Sequence, residues 1–412
     1  MSQAEFDASG AQNGISRTDF VEAGRPASLS MDRFEAVNVP VWRASSVLFD
    51  TVADVQAASA GAAAGERQAS NYATTGTPTT FALAEAIAQL EAPGHAARVA
   101  LAPSGLAAIS TALMAYLSPG EHMLMSDSVY GPARLFAQGM LTRFGVQTTF
   151  YDPALDADAL GALIRPNTRV IYLESPGSYT FEIQDVPAIC AMARARGVLT
   201  MLDNAWASPV FARPFDWGVD VSLLPLTKYW SGHADVLMGA VVVREALWPA
   251  LHQTVRQTGI CVGGDDAWLV LRGMRTLPVR MRTHERTALA VAHWLQARPE
   301  VSRVLHPALP DHPQHALWQR DFLGASGLFS FELAESASPE RIAALCDGHR
   351  HLRLGYSWGG YESLIMPANI GNLRTALPWA GGPLIRIHAG LDDPHSLIAD
   401  LEAGFAAYGR TA

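Results

Sequence analysis

Charge is scarce in this sequence, and cysteine is scarcer. Charged side chains make up 17% of the 412 residues, and the formal net charge is -9. With no run of lysine and arginine, that balance argues against a nucleic-acid surface and turns attention to a small substrate. The three cysteines, Cys190, Cys261 and Cys346, lie far apart without a C-x-x-C pair, so neither a disulfide framework nor a zinc knuckle is indicated. The histidines form no H-E-x-x-H or comparable set, and no metal site is expected. The opening "MSQAEFDASGAQNG" has no basic segment followed by an apolar one, so no signal peptide is expected. Long uncharged runs are rare as well. The stretch Val99 to Gly120 is about long enough to span a bilayer, but Pro103-Ser104-Gly105 interrupts it near its start. A strand, a tight turn and a buried helix of roughly a dozen residues suit it better. A soluble, cytoplasmic protein that binds neither membrane nor nucleic acid is expected.

With 49% hydrophobic residues, the chain can bury the cores of two domains. Residues 1 to about 30 read as a loose polar arm, and "AASAGAAAGERQ" reads as a helix end and loop. From Phe81 onward, helical and strand-like pieces alternate. Leu83, Ile87 and Leu90 have helical spacing, while "EHMLMSD", "VQTTFYD", "TRVIYLESP", "VLTMLDNAW" and "DVSLLPLTK" are short apolar runs. Such alternation predicts βαβ units and a largely parallel sheet. The segment from Asp265 to Glu300 reads as one long helical connector with arginines on one face. Beyond it, "SGLFSFEL", "ERIAALCDG", "PLIRIHAG" and "SLIADLEAGFAAYG" predict a smaller α+β domain. The expected division is an arm and oligomer-contact segment over 1–75, a cofactor domain over 76–274 and a C-terminal domain over 275–412.

Ligands of open parallel sheets bind beyond the carboxyl ends of the strands. The turn "APSGLAA" follows a short strand and opens a helix, so Gly105 and Leu106 can offer backbone N–H groups to a phosphate. Asp203 ends the apolar run "MLD", where it can cap the next segment, bind a metal or hold a protonated ring nitrogen. Thr227-Lys228 ends the next apparent strand, 25 residues further on. Desolvation at that place lowers a lysine's pKa and frees its amine to attack a carbonyl. An acid for a ring nitrogen, a carbonyl-binding lysine and a phosphate turn together are what pyridoxal phosphate requires.

The stretch "LDNAWASPVFARPFDWGVDVSLLPLTKYWSGHADVLMGAVV" resembles the pyridoxal-phosphate segment of the Cys/Met metabolism enzymes. The similarity extends through "YATTGTPTT", "ESPGS", "DVPAI", "HPALP" and "GYSWGGYESL", over nearly the whole chain. It implies a type I aminotransferase-like α/β fold, with pyridoxal 5'-phosphate joined to Lys228. By the same resemblance, Asp203 partners the ring nitrogen and Tyr130 stacks on the ring. Gly105, Leu106 and Thr227 hold the phosphate. Tyr72 is the tyrosine that this family donates from a neighbouring subunit, implying an obligate oligomer, and the resemblance suggests a homotetramer built of two dimers. Arg386 forks onto the substrate carboxylate, with Trp358, Ser357 and Tyr356 lining that end of the pocket. Two departures stand out. The family's Y-x-R-x-G is "YATTG" here, with Thr74 in place of the arginine that reaches a neighbour's cofactor phosphate. Pro225 stands where many relatives carry a phosphate-binding serine.

The family divides between chemistry at Cβ and at Cγ, and "YSWGGYES" resembles its β-lyases. The reaction so implied is cleavage of L-cystathionine to homocysteine, pyruvate and ammonia, a step of methionine biosynthesis by transsulfuration. A broader cysteine-S-conjugate β-lyase or cysteine desulfhydrase is the alternative, since the same residues would serve it. A cystathionine γ-lyase or γ-synthase fits the stretch around Trp358 less well. A cofactor-binding regulatory protein with little turnover is opposed by Lys228, Asp203 and Arg386 together.

Overall fold

The computed structural model describes residues 15–24, 30–31, 34–35, 37–371 and 373–411, so most of the arm expected over 1–30 lies outside them. Seven strands form the larger sheet: β1 (Ala97–Ala102), β2 (His122–Ser126), β3 (Gln147–Tyr151), β4 (Thr168–Glu174), β5 (Leu199–Asp203), β6 (Val221–Leu224) and β7 (Gly239–Arg244). Their order is β1-β7-β6-β5-β4-β2-β3. Every adjacent pair is parallel except the two that β7 makes. Because β7 opposes both neighbours, β1 still points the same way as β6. Six carboxyl ends therefore meet at one edge, where open α/β sheets bind their ligands.

β2 and β6 are buried along their whole length, as strands are when helices cover both faces of a sheet. β7 sends Ala240 and Val242 to one side, against the helices Pro78–Glu91 and Gly264–Met274. Val241 and Val243 go to the other, against Gly105–Tyr116 and Trp248–Thr258. Local chemistry fixes where these helices begin. Thr77 makes a capping box with Thr80 ahead of Pro78, and the Ser104 side chain accepts Ala107 N at 3.1 Å. Among the described residues no helix is long and apolar enough to cross a membrane.

One local expectation holds and one changes. The Ala/Gly stretch is a helix end and loop as expected: its alanines finish the helix Val52–Ala64, which starts at a Thr51–Asp54 capping box, and the chain leaves that helix at Gly65 with φ 69°. Alanine, the best helix former, outweighs the single internal glycine. The long connector is two helices, Gly264–Met274 and Leu277–Gln296, parted at Arg275-Thr276. Pro278 has no N–H to continue the earlier helix but is tolerated in the first turn of a new one.

That second helix lies on the smaller sheet, made of β8 (Val301–Leu305), β9 (Leu328–Leu333), β10 (Arg353–Leu354), β11 (Leu364–Ala368) and β12 (Leu384–His388), in the order β8-β9-β12-β11-β10. Pro339–Cys346 and Pro394–Arg410 complete its cover. A buried clamp ties this part to the larger sheet. Asp127, just past β2, accepts Thr375 N at 3.0 Å, Ala376 N at 2.9 Å and Leu377 N at 2.9 Å, and it pairs with Arg134. Beside it Arg374 donates to Glu182 at 2.7 Å and to Thr180.

Burial alone pushes the Asp127 carboxyl up, but those three amides and Arg134 outweigh it and hold the carboxyl below its ordinary range. Its stabilising contribution is therefore present above the unfolded carboxylate pKa and lost as pH falls through the lower folded one. Asp127→Asn is expected to cost about 3 kcal/mol in urea unfolding at pH 7, the scale for breaking a buried pair. The gap from the native protein should narrow below about pH 4.

Candidate active site

At the carboxyl edge of the large sheet, the turns after β1, β2, β4, β5 and β6 enclose a cavity of about 340 Å3. Gly105, Leu106, Tyr130, Asp203, Thr227 and Lys228 line it from the large sheet, and Tyr356, Ser357, Trp358 and Arg386 line it from the smaller one. Asp203 ends β5, whereas β6 ends at Leu224, so Lys228 stands in a turn and not on the strand as expected. Pro225 explains the difference, because it has no N–H for the ladder. In that turn Lys228 N donates to Pro225 O at 3.1 Å, and Gly232 N to Lys228 O at 2.9 Å.

Lys228 Nζ donates to Ser357 Oγ at 2.6 Å and lies 5.0 Å from the centre of the Trp358 ring. Desolvation and the nearby Arg386 charge lower its pKa to about 8, with Asp203 pulling the other way. The position carries a further signal that motif reading passed over. Lys228 is the only lysine in the sequence.

A second carboxyl group, also missed, sits beside Asp203. Glu174 ends β4 directly opposite Asp203 in the β4–β5 register, and only 8% and 6% of their surfaces are exposed. Burial raises both pKa values, and the Asp203 charge raises Glu174 further, while Ala205 N and Lys228 favour ionised Asp203. The pair therefore keeps its charge on Asp203 and its proton on Glu174. Glu174 Oε2 accepts Tyr130 N at 2.6 Å, which holds the tyrosine at the mouth of the site. "ESPGS" contains Glu174, but only the strand register reveals its partner.

Arg386, on β12, donates to Ser357 O at 3.2 Å and faces the Tyr179 ring at 5.7 Å. Tyr72 lies outside this cavity and is half exposed. Thr74 lines a separate cleft with Arg98, Trp248 and Arg256. Among the described residues no group of three or more metal-ligating side chains occurs.

The donor set fits pyridoxal phosphate. At one end the helix Gly105–Tyr116 presents its first N–H groups, which have no intrahelical acceptor. A Cβ at Gly105 would lie 2.9 Å from Pro225 Cβ, so glycine is what lets the start of the helix approach Pro225. At the other end a buried carboxylate, Asp203, matches a ring N–H, and the Tyr172 hydroxyl close to it favours its ionised form. Thr227 Oγ is already engaged, donating to Met238 O at 3.1 Å and accepting Met238 N at 2.9 Å. A phosphate would have to share that hydroxyl.

Residues 17–406 match the family described as Cys/Met metabolism PLP-dependent enzyme. The cystathionine beta-lyase of Bordetella avium is 44% identical, over 89% of this chain and 91% of its own. The cystathionine beta-lyase MetC of Escherichia coli is 41% identical, over 94% and 98%. A solved structure of cystathionine gamma synthase from Xanthomonas oryzae pv. oryzae superposes with a TM-score of 0.84 at 30% identity, covering 96% of this chain and 99% of its own.

With one lysine present, amine labelling of the cofactor-free protein reports a single side chain. Labelling of Lys228, read by peptide mass spectrometry, is expected to rise with a midpoint near pH 8. Arg386→Leu should move that midpoint up and Asp203→Asn should move it down, since the first removes a like charge and the second an opposite one.

Proposed function

The chain belongs to the Cys/Met metabolism PLP-dependent enzyme family, and from that premise we propose that it cleaves L-cystathionine by β-elimination to homocysteine, pyruvate and ammonia. Residues 76–274 hold the cofactor on this reading, and residues 275–412 close the pocket over it. Gly105, Leu106 and Thr227 receive the phosphate, Asp203 the ring nitrogen, Tyr130 the ring face and Lys228 the aldehyde carbon. When bound, pyridoxal phosphate supplies an electron sink for the pair left by the Cα–H bond.

The residues do the rest. Arg386 takes the α-carboxylate through a fork that lysine could not reproduce, so the Cα–H bond is turned toward Lys228. Lys228 Nζ, with its pKa lowered to about 8, takes the Cα proton and returns one to sulfur as the Cβ–S bond breaks. Homocysteine leaves as the thiol. Water converts the remaining three-carbon enamine to pyruvate and ammonia, which balances the reaction. The observation that carries the reading is what touches the base. Ser357 Oγ at 2.6 Å and the Trp358 ring at 5.0 Å belong to the stretch whose sequence resembles β-lyases, not Cγ-acting relatives.

Tyr72 completes the site from a second copy in a dimer, and two dimers form the tetramer. Support comes from the exposure of Tyr72, Trp42, Leu48, Val52 and Val55 along one N-terminal segment, apolar side chains that a second copy would cover. Three free cysteines fit a reducing cytoplasm.

Purified, cofactor-loaded protein given L-cystathionine is expected to yield pyruvate with homocysteine, and Lys228→Ala to yield neither while melting as the native protein does. 2-Oxobutyrate with cysteine would overturn β-elimination. Subunit mixing tests the shared site. Lys228→Ala and Tyr72→Ala proteins, each impaired alone, should recover about a quarter of native activity after exchange, because half the dimers are mixed and each has one intact site. No recovery despite exchange would place Tyr72 outside the neighbour's site.

A further inference from the structure

Two buried histidines that the proposed reaction does not use stand behind the lysine. His284, on the helix Leu277–Gln296, and His388, the last residue of β12, are both 0% exposed, and their ring centroids are 5.2 Å apart. His388 Nε2 is 3.0 Å from Gly359 N and 3.2 Å from Gly360 O. A backbone N–H can only donate, so the shorter contact makes Nε2 the acceptor and puts the ring proton on Nδ1. His284 Nδ1 faces two carbonyl oxygens, Ala389 O at 2.9 Å and Gly390 O at 3.2 Å, and so carries its own proton. The nitrogens left over, His388 Nδ1 and His284 Nε2, make no hydrogen bond among the described residues. They are complementary, one an N–H and the other a lone pair. Burial lowers the pKa of both rings, that of His284 to about 4, so neither gains a second proton at neutral pH.

The group that His388 holds lies against the lysine. Gly359 has φ 91°, and a Cβ there would come within 2.8 Å of Tyr229 N and 2.9 Å of Lys228 C. The turn over residues 357–359 is thus laid on the backbone of Lys228 with no side chain between. Ser357, itself at φ 78°, brings its Oγ to 2.6 Å from Nζ. Tyr229 closes the space, with its ring 5.4 Å from Trp358, 5.2 Å from His284 and 5.9 Å from His388.

We propose that His388, braced by His284, is a positioning residue for Lys228: by accepting the Gly359 amide it fixes the turn 357–359 on the lysine backbone and so fixes the Ser357 hydroxyl at Nζ. The proposal rests on the reading of Lys228 as the residue that joins the cofactor and moves the proton. It does not depend on which substrate is cleaved.

The test compares His388→Leu, which removes the acceptor, with His388→Gln, which keeps one, in the cofactor-loaded enzyme. The first readout needs no substrate: the pH midpoint of the absorption band of the lysine-linked cofactor. His388→Leu is expected to shift that midpoint by about half a unit or more and to lower kcat about tenfold, the scale of a small misplacement of a reacting group, with KM changed less. His388→Gln should recover most of both. Adding Ser357→Ala to His388→Leu should cost little beyond Ser357→Ala alone, because both act on one contact. A native midpoint and kcat in His388→Leu would overturn the proposal. So would equal losses in the Leu and Gln variants together with a matching fall in Tm, which would mark a purely structural role. If His388→Leu does not fold, His284→Leu decides: a midpoint shifted from the native value supports the brace, and a native midpoint overturns it. Failure of cystathionine cleavage alone would leave the midpoint shift intact and would count against the substrate, not against His388.

Discussion

An ammonium group and a carboxylate of opposite charge are kept out of bulk water at one sheet edge, and the rest of the molecule is arranged around that constraint. Neither Lys228 nor Asp203 could stay there alone, since burial disfavours the charged form of each. Strand β5 ends at Asp203, and the turn that follows the adjacent parallel strand β6 carries Lys228. Glu174, one strand further, holds the pair's proton and keeps Tyr130 in place through a backbone amide at 2.6 Å. The smaller sheet then covers the group with Ser357, Trp358 and Arg386, and Arg386 adds a second cation that pushes the lysine toward its neutral form. A site tuned in this way needs its two halves at a fixed separation. Asp127 supplies that by gathering the amides of residues 375–377 and the Arg134 guanidinium on one carboxylate.

Much of the large sheet was legible because a strand buried on both faces leaves a continuous apolar run, and "HMLMS" and "VSLL" are such runs. β7 was less legible, since "GAVVVR" reads only as the tail of the lysine segment and not as a strand antiparallel to its neighbours. β10, two residues long, and β11, interrupted by Pro367, carry too little pattern to be found.

The site residues most visible in the sequence are those whose chemistry is local: a lysine among apolar residues, an acid at the end of a run, glycine at a turn. Glu174 was hidden because its role follows from register with Asp203. His284 and His388 were hidden for a similar reason, being 104 positions apart by subtraction and brought together only when the helix is laid on the smaller sheet. Ser357 reaches the lysine through a left-handed backbone that no composition rule announces. Thr74 is the opposite case, plain in the sequence and silent in one subunit, where it lies away from the cavity.

The solitary lysine also bears on what the surface ignores. Every other cationic side chain is arginine, whose guanidinium does not condense with an aldehyde at neutral pH. A reactive carbonyl, whether the cofactor itself or a sugar, finds no competing side-chain amine on the outside of the described molecule. Carbonyl capture is thereby confined to a position where the amine is desolvated and the geometry already set, and chemical selectivity comes from amino-acid usage before any binding energy is spent.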